Sequence, residues 1–395
     1  MKVSLNSLCK RFNSGDRIET SKVKLNGKYP VFGGNGIRGY ADIYNFDGRC
    51  AIIGRQGANC GNVKYFHGRA FMTEHAVVVE TNENNDIGYL SYKMSLMNLK
   101  RYQGQSAQPG LSVKIISKLL VEVPELTAQK KVWRILSSID KKIENNTKIN
   151  NNLEELMKTL YQRWFIEFEF PNDDGKPYKF SNGKFVYDNS LKKEIPEGWK
   201  VTNCYKNNLY TIIKPGIERF EFDKNYLATG NVNNSEITDG EWIKFENRES
   251  RANMQPIKNS IWFAKMKKSI KHITLTENSE WFINKYVLST GFLGIKCNEY
   301  SLSYLHSFIY SDYFEKAKDI LAHGATQEAV NNEDIKSIRL LEPPLKILKL
   351  FDSQTRDILK QQMNIFKENQ KLTELKDFLL PMLMNGQINV DDIEI

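Results

Sequence analysis

The fold class of this chain is decided by residues 127–164, TAQKKVWRILSSIDKKIENNTKINNNLEELMKTLYQRW. Asn146 and Asn150 interrupt an otherwise apolar helix seam at its middle. This pattern predicts one long helix with Thr127 as its N-cap, ending before Pro171. The apolar side chains recur at steps of four and three, the heptad spacing of a single seam: Val132, Leu136, Ile139, Ile143, Leu153, Met157, Leu160 and Trp164.

A second copy of this pattern lies near the C-terminus and indicates an internal duplication. The second helix is predicted to close at Pro381 and Gly386. The two halves also begin alike, because residues 2–4 (KVS) resemble residues 200–202 (KVT). One offset of 219 residues pairs Gln108 with Gln327, Ile116 with Ile335, Pro124 with Pro343, Leu153 with Leu372 and Leu160 with Leu379.

The front part of each half carries short β-like runs separated by Gly- and Asn-rich loops. The runs are residues 50–53, 76–80, 260–264 and 287–295. The sequence therefore predicts an α+β fold, with two globular mixed α/β domains separated by two long antiparallel, coiled-coil-like helices in a pseudo-twofold repeat. Packing of each helix against its own domain is the alternative. The predicted segments are a domain at 1–125, a helical spacer at 126–170, a linker at 171–198, a second domain at 199–342 and a second helical spacer at 343–395.

Composition narrows the class of protein. A formal net charge of +9 over 395 residues favours a polyanionic partner, nucleic acid first. The five cysteines are scattered without a C-x-x-C pair, which predicts buried reduced thiols and no metal site. No apolar run resembles a signal peptide or a membrane span. We expect a cytoplasmic, metal-free protein.

The sequence contains only partial matches to catalytic motifs. Residues 32–36 (FGGNG) match a glycine pattern of S-adenosylmethionine enzymes, but the following residues predict a turn and a strand instead of a helix. Residues 174–176 (DGK) lie in the hydrophilic linker and predict a solvated turn. No Gly-Lys pair continues into the Ser or Thr of a phosphate-binding loop. We therefore predict no catalytic residue in this chain.

The remaining candidates are polar loops whose side chains are suited to contacts with base edges and phosphates. Arg pairs bidentately with guanine and Asn or Gln with adenine, whereas Lys suits phosphate contacts. Solubility alone is the alternative reason for polar loops. The candidate DNA-binding residues are Asn35, Arg38, Arg55, Gln56, Asn59, Gln105 and Gln108 in the first half, and Lys265, Lys267, Lys268, Lys271, Thr326 and Gln327 in the second.

Six stretches of the chain carry a resemblance to a known family: YPVFGGNGIRGY (29–40), AIIGRQGANCGNV (51–63), GQSAQPGLSV (104–113), LYQRWFIEFEFP (160–171), EIPEGWKV (194–201) and LLPMLMNGQI (379–388). Through them the chain resembles the specificity subunits of type I restriction-modification enzymes over nearly its whole length. That resemblance implies two target-recognition domains alternating with helical spacers. The second domain departs from the pattern, since residues 264–275 (AKMKKSIKHITL) lack the Gly-rich Arg/Gln loop of the first.

The resemblance implies a non-catalytic subunit that recognises a bipartite, asymmetric site on double-stranded DNA. Two methyltransferase subunits, which bind S-adenosylmethionine, are expected to dock on it, and motor-nuclease subunits join for cleavage. We assign Trp164, Phe165 and Leu383 to the subunit interface, with burial in the chain's own core as the alternative. Other possibilities are a complex with methyltransferase alone, a coiled-coil scaffold, or a self-sufficient modification enzyme, which the missing catalytic motifs disfavour.

Overall fold

The structure of the protein is a computed structural model that describes residues 2–34, 36–57, 60–104, 110–233, 236–238, 240–324 and 328–390. The chain divides into two compact units. Unit 1 comprises Met1–Glu144 and Gln370–Ile395, and unit 2 comprises Asn145–Asn369. Each of the two long helices contributes residues to both units, so the division falls within these helices and not at their ends.

Unit 1 contains eight described strands: β1 (Val3–Ser4), β2 (Cys9–Ser14), β3 (Tyr29–Gly33), β4 (Gly36–Ala41), β5 (Phe46–Gly54), β6 (Val63–Met72), β7 (Ala76–Thr81) and β8 (Leu120–Val121). Its helices are α1 (Ile87–Leu96), α2 (Val113–Ile116), the first part of α3 (Leu126–Tyr161) and the last part of α7 (Leu345–Met384), with 3-10 turns at Leu5–Leu8, Thr20–Lys22 and Leu99–Tyr102. Six strands form one sheet in the order β2-β7-β5-β6-β3-β4, in which β3 and β6 are parallel and the other neighbours antiparallel. The short β1 pairs with β8.

The central strands of this sheet are buried on both faces, because successive side chains of a strand point to opposite sides. Ala51 and Ile53 of β5 join Val77 and Val79 of β7 in a core that includes Leu90 of α1. The alternate residues enter a second core on the opposite face, with Cys50, Ile52, Ala76, Val78 and Phe32. The continuous apolar runs of the sequence are therefore interior strands.

Helix α1 covers one face of the sheet and begins at a side-chain cap. Asp86 Oδ1 accepts a hydrogen bond from the Tyr89 backbone N–H at 2.9 Å, which satisfies one of the free donors at the helix start. Gly88 lies against the indole of Trp133, and a Cβ there would come within 2.2 Å of the ring. Glycine at this position lets α1 pack closely on the first turns of α3.

Unit 2 contains fourteen described strands: β9 (Phe185–Asp188), β10 (Lys193–Pro196), β11 (Lys200–Asn203), β12 (Tyr210–Ile212), β13 (Lys224–Leu227), β14 (Val232–Asn233), β15 (Glu236–Ile237), β16 (Glu241–Ile243), β17 (Ala252–Met254), β18 (Ser260–Ala264), β19 (His272–Leu275), β20 (Tyr286–Ser289), β21 (Phe292–Cys297) and β22 (Arg339–Glu342). Its helices are the remainder of α3, α4 (Glu280–Lys285), α5 (Leu302–Ile309), α6 (Asp312–Leu321) and most of α7 (Leu345–Met384). Shorter turns lie at Gln162–Ile166 (π), Thr229–Asn231 and Asp334–Ser337 (both 3-10).

The two units share a strand order, which supports the duplication predicted from the sequence. The sheet β12-β21-β18-β19 of unit 2 repeats the order β2-β7-β5-β6 of unit 1. Strand β13 lies antiparallel to β16 and parallel to β20, as β3 lies to β4 and β6. The pair β11 with β22 corresponds to β1 with β8. Where unit 1 has one long β6, unit 2 has β19 and β20 with α4 between them.

The long helices run antiparallel within each unit. In unit 1, Lys376 of α7 donates to Asp140 of α3 at 2.6 Å, and Leu136 shares a core with Leu383. In unit 2, the buried Asn146 of α3 donates its Nδ2 to Asn369 Oδ1 of α7 at 2.8 Å. The predicted polar break in the seam is therefore a hydrogen-bonded layer between the two helices.

Three helix limits differ from the prediction. Helix α3 begins at Leu126, so Thr127 lies inside the first turn and is not the cap. Helix α7 continues through Pro381 to Met384, and Gly386 follows it with φ of 70°. Helix α3 was predicted to end just before Pro171, but it ends at Tyr161, a π turn follows at Gln162–Ile166, and Phe168 adopts a left-handed φ of 60°.

The predicted linker at 171–198 is a folded part of unit 2. Strands β9 and β10 form a hairpin within it. Tyr178 stacks on Phe170 with ring centroids 4.6 Å apart, and Phe170 stacks on Trp199 at 5.2 Å. The two turns expected there are present, with φ of 75° at Gly175 and 57° at Asn182. The segment is polar in composition, but its few aromatic residues anchor it to the core.

Candidate functional site

Described parts of three loops of unit 1 lie together, and we call residues 33, 34, 36–38, 54–57, 60, 61, 103, 104, 110 and 111 the first loop cluster. Gly34 packs against the backbone of Gln56, where a Cβ would lie 2.9 Å from the Gln56 carbonyl oxygen. Gln56 forms an antiparallel bridge with Gly110, and the Leu111 N–H donates to the Arg55 carbonyl at 2.9 Å. The structure thus brings together the three loops that the sequence selected separately.

The candidate residues of this cluster differ in accessibility. Arg38 is exposed on β4. Arg55 is half-buried and braces the loops, because its Nε donates to the Leu111 carbonyl at 3.2 Å and its Nη1 to Ser14 Oγ at 3.4 Å. Gln56 is also half-buried. Four predicted residues of the first half lie outside the described residues: Asn35, Asn59, Gln105 and Gln108.

Unit 2 has a corresponding arrangement, and we call residues 229–231, 264–271, 323, 324 and 328–330 the second loop cluster. Met266 forms an antiparallel bridge with Ala329, and the Val330 N–H donates to the Lys265 carbonyl at 3.0 Å. Lys271 Nζ ties the third loop in, since it donates to the Thr229 carbonyl at 2.5 Å. Thr326 and Gln327, predicted here, lie outside the described residues.

The two clusters share an antiparallel bridge and the backbone hydrogen bond beside it. Gln56 and Gly110 bridge in unit 1 as Met266 and Ala329 do in unit 2. Because the offset of 219 residues also relates Gly110 to Ala329, the sequence repeat and the loop geometry agree. The side chains at equivalent places are different: an amide stands in one cluster where a thioether stands in the other.

The four candidate lysines of unit 2 differ in their contacts and in their exposure. Lys265 donates to the Thr290 carbonyl at 3.0 Å, and burial lowers the pKa of its ammonium. Lys267 pairs with Glu328 at 2.8 Å, and Lys271 is bound as described above. Lys268 is exposed, and its backbone N–H donates to Asp319 Oδ1 at 2.9 Å. Lys268 therefore carries the most accessible cation of the four.

A buried ionic network under this loop was missed by the sequence reasoning. Lys318 of α6 is fully buried and donates to Glu315 Oε2 at 2.6 Å and to the Ser269 carbonyl at 3.1 Å. Glu315 Oε1 lies 2.8 Å from His272 Nε2. Burial alone would raise the pKa of Glu315, but the bonds from His272 and Lys318 lower it below its usual value. The i,i+3 spacing of Glu315 and Lys318 was the available signal.

Unit 2 is expected to lose stability in acid because of His306, which is buried beside this network. Burial, with a smaller contribution from His272, lowers the pKa of His306 from 6.5 to about 3. Between these values only the unfolded chain binds the proton, so stability present above pH 6.5 is lost as the pH falls. We expect the loss to steepen below pH 6.5 toward a limit of about 1.4 kcal/mol for each pH unit.

Urea unfolding of the wild type and of His306→Gln at pH 7, 6 and 5 measures this effect. The variant should lose less stability than the wild type over the interval, since its amide does not titrate. Equal losses in the two proteins would mean that His306 does not titrate in the way described.

The residues assigned to a subunit interface are buried in the chain itself. Trp164 and Phe165 lie in the main core of unit 2, where both rings contact Phe351. Leu383 lies in a core of unit 1 with Tyr89 and Leu136. These side chains leave no surface for a partner, so the structure corrects that prediction in favour of the core alternative.

The cysteines are free, and four of the five are buried: Cys50, Cys60, Cys204 and Cys297. Within the described ranges, no group of three or more acidic, His or Cys side chains is placed to hold a metal ion. No described helix combines the length and apolar character needed to cross a membrane.

Comparison with known proteins finds similarity to one family. Residues 1–155 match the family described as the type I restriction modification DNA specificity domain. The chain is 42% identical over 122 residues to the EcoprrI specificity subunit of Escherichia coli, a match that covers 31% of this chain and 30% of that relative. It is 26% identical over 339 residues to the MjaIX specificity subunit of Methanocaldococcus jannaschii, covering 77% of this chain and 69% of that one.

A solved structure shares the fold. The S subunit of a type I restriction-modification system from M. genitalium superposes with a TM-score of 0.61 at 14% identity. The superposition covers 97% of this chain and 95% of that chain. This likeness extends the fold comparison beyond the first 155 residues to nearly the whole chain.

Proposed function

We propose that the chain is a specificity subunit of the type I restriction-modification family and that it selects the DNA sequence at which partner subunits act, because residues 1–155 match the DNA specificity domain of that family and its relatives include specificity subunits. In this proposal the chain performs no chemistry. Two methyltransferase subunits, which bind S-adenosylmethionine, methylate adenine at the selected site, and motor-nuclease subunits join them for cleavage.

One observation carries the proposal: two loop clusters have matching backbones and different side chains. Arg55 and Gln56 occupy the places that Lys265 and Met266 hold in unit 2. Hydrogen bonds to base edges specify sequence, and a change of side chain at a fixed backbone position changes the base that is recognised. Two such clusters predict a bipartite site with two dissimilar halves.

The charge of the molecule supports the same partner. A net charge of +9 favours binding to polyanionic DNA, and Arg38 and Lys268 add exposed cations to the two clusters. A cation that contacts phosphate strengthens binding at every sequence, whereas Arg on a guanine edge selects one. We assign Lys268 to the first role and Arg38 to the second.

Genome-wide methylation mapping tests the proposed function. The chain is expressed with its methyltransferase partner in a host whose own DNA lacks the motif, and the partner expressed alone is the control. We expect one split, asymmetric N6-methyladenine motif that requires the chain. An identical methylation pattern with and without the chain would contradict the proposal and favour a scaffold role.

A further inference from the structure

The turn between β6 and β7, residues 73–75, lies beside the first loop cluster. The Thr73 N–H donates to the Phe32 carbonyl at 3.0 Å, just before the glycine turn that contacts Gln56. The Arg55 N–H donates to the His75 carbonyl at 3.0 Å. Glu74 stands between these two anchored residues, so the backbone fixes it beside the predicted base-recognising loops.

The carboxylate of Glu74 is only half satisfied. Its Oε1 lies 3.4 Å from His75 Nε2. Its Oε2 is shielded from solvent and has no hydrogen-bond partner among the groups that the structure describes. A shielded acceptor without a donor is unfavourable, and more so when it is charged. Because the Glu74 side chain as a whole is 38% exposed, a rotation of its carboxylate presents this oxygen to a donor supplied by a ligand.

The equivalent turn of unit 2 has no carboxylate without a hydrogen-bond partner. The Lys265 N–H donates to the Gly291 carbonyl at 3.0 Å, as Arg55 donates to His75, so Thr290 occupies the place of Glu74. The Thr290 carbonyl accepts from Lys265 Nζ at 3.0 Å. The unsatisfied carboxylate is therefore a property of unit 1 and not of the shared fold.

We propose that Glu74 is a specificity-determining residue of unit 1, whose Oε2 accepts a hydrogen bond from the exocyclic amino group of a cytosine. This inference rests on the proposed function. Phosphates offer no donor and repel a carboxylate, so the DNA backbone cannot satisfy this oxygen. Carboxylates accept from cytosine N4 in the major groove, where each such contact contributes to discrimination between bases.

The variants Glu74→Gln and Glu74→Ala test the assignment in the methylation assay described above. Glu80→Gln is the matched control, because Glu80 lies toward the other end of β7 and is already paired with Lys10 at 3.1 Å and Arg11 at 3.5 Å. We expect both Glu74 variants to relax one C·G position in one half of the motif. Discrimination there should fall about ten-fold or more, with the other half unchanged and the control like the wild type.

Three results would overturn the assignment. One is an unaltered motif in Glu74→Ala, and another is relaxation spread over both halves. The third is loss of all methylation by a Glu74→Gln chain whose thermal unfolding matches the wild type, since that would indicate a general role in binding or assembly. The proposed function itself fails separately, if the wild-type chain confers no motif.

Discussion

Replacing Phe165 by Ala is expected to destabilise unit 2 by about 3–5 kcal/mol, the usual cost of removing a buried phenyl ring. The side chain is 0% exposed. Its ring centroid lies 4.6 Å from that of Tyr304, 4.8 Å from Phe351 and 5.9 Å from Trp199. No neighbour is free to fill the space, because aromatic rings already surround it. Urea unfolding of the purified chain measures the loss.

Ile166 provides the control for this prediction. It is the next residue in the same turn, and its side chain is 44% exposed. Ile166→Ala should change the free energy of unfolding by only about 0.5 kcal/mol, as is usual for surface positions. Phe165→Ala would contradict the core assignment if it unfolded like the wild type and lost only the methyltransferase partner.

Replacing Lys318 by Met should also cost about 3–5 kcal/mol, because it leaves one partner of a buried ion pair without the other. Glu315 would keep His272 but lose the charge that lies 2.6 Å from its Oε2. The Ser269 carbonyl would lose its donor as well. Since Ser269 follows the exposed Lys268, we also expect weaker DNA binding from the loop that α6 holds.

Two further variants on the same helix test whether the loss of stability comes from the broken ion pair. Lys316→Met removes an exposed lysine two residues away and should leave unfolding unchanged. The double variant Glu315→Gln with Lys318→Met should recover part of the lost stability, because no unpaired charge stays buried. If Lys318→Met unfolded like Lys316→Met, the network would contribute nothing to the stability of unit 2.

The strands and the repeat were accessible from sequence because they depend on local patterns. Residues 260–264 were predicted as a strand and form β18 without change, since five buried residues in a row leave little choice. The predicted run at 287–295 is two strands, β20 and β21, joined by a turn at Thr290 and Gly291. A turn of two residues does not interrupt an apolar run enough to be recognised.

The linker was misjudged because composition averages over residues with different roles. Most of residues 171–198 are polar, yet Tyr178 and Phe185 lie 5.7 Å apart at their ring centroids and hold the segment to the core. A few aromatic contacts outweigh many solvated side chains, since aromatic rings bury a large apolar area. The pairing of these rings depends on tertiary structure and leaves no periodic trace.

The contacts within the candidate site also depend on tertiary structure, so the sequence could not predict them. Arg55 and Gln56 were selected as polar loop residues, but their contacts with Leu111 and Gly110 join loops about 50 residues apart in the chain. Glu74 was not selected, because a single acidic residue in a turn resembles any solvated carboxylate. Its unsatisfied oxygen is visible only when the surrounding atoms are placed.

The central claim is that each unit recognises one half of a split DNA site. The most direct measurement is methylation mapping of three chains in parallel, the wild type, Arg38→Ala and Lys268→Ala, each expressed with the methyltransferase partner. We predict that Arg38→Ala relaxes one base in one half only, and that Lys268→Ala lowers methylation at all sites without changing the motif. A motif and occupancy unchanged in both variants would contradict the account.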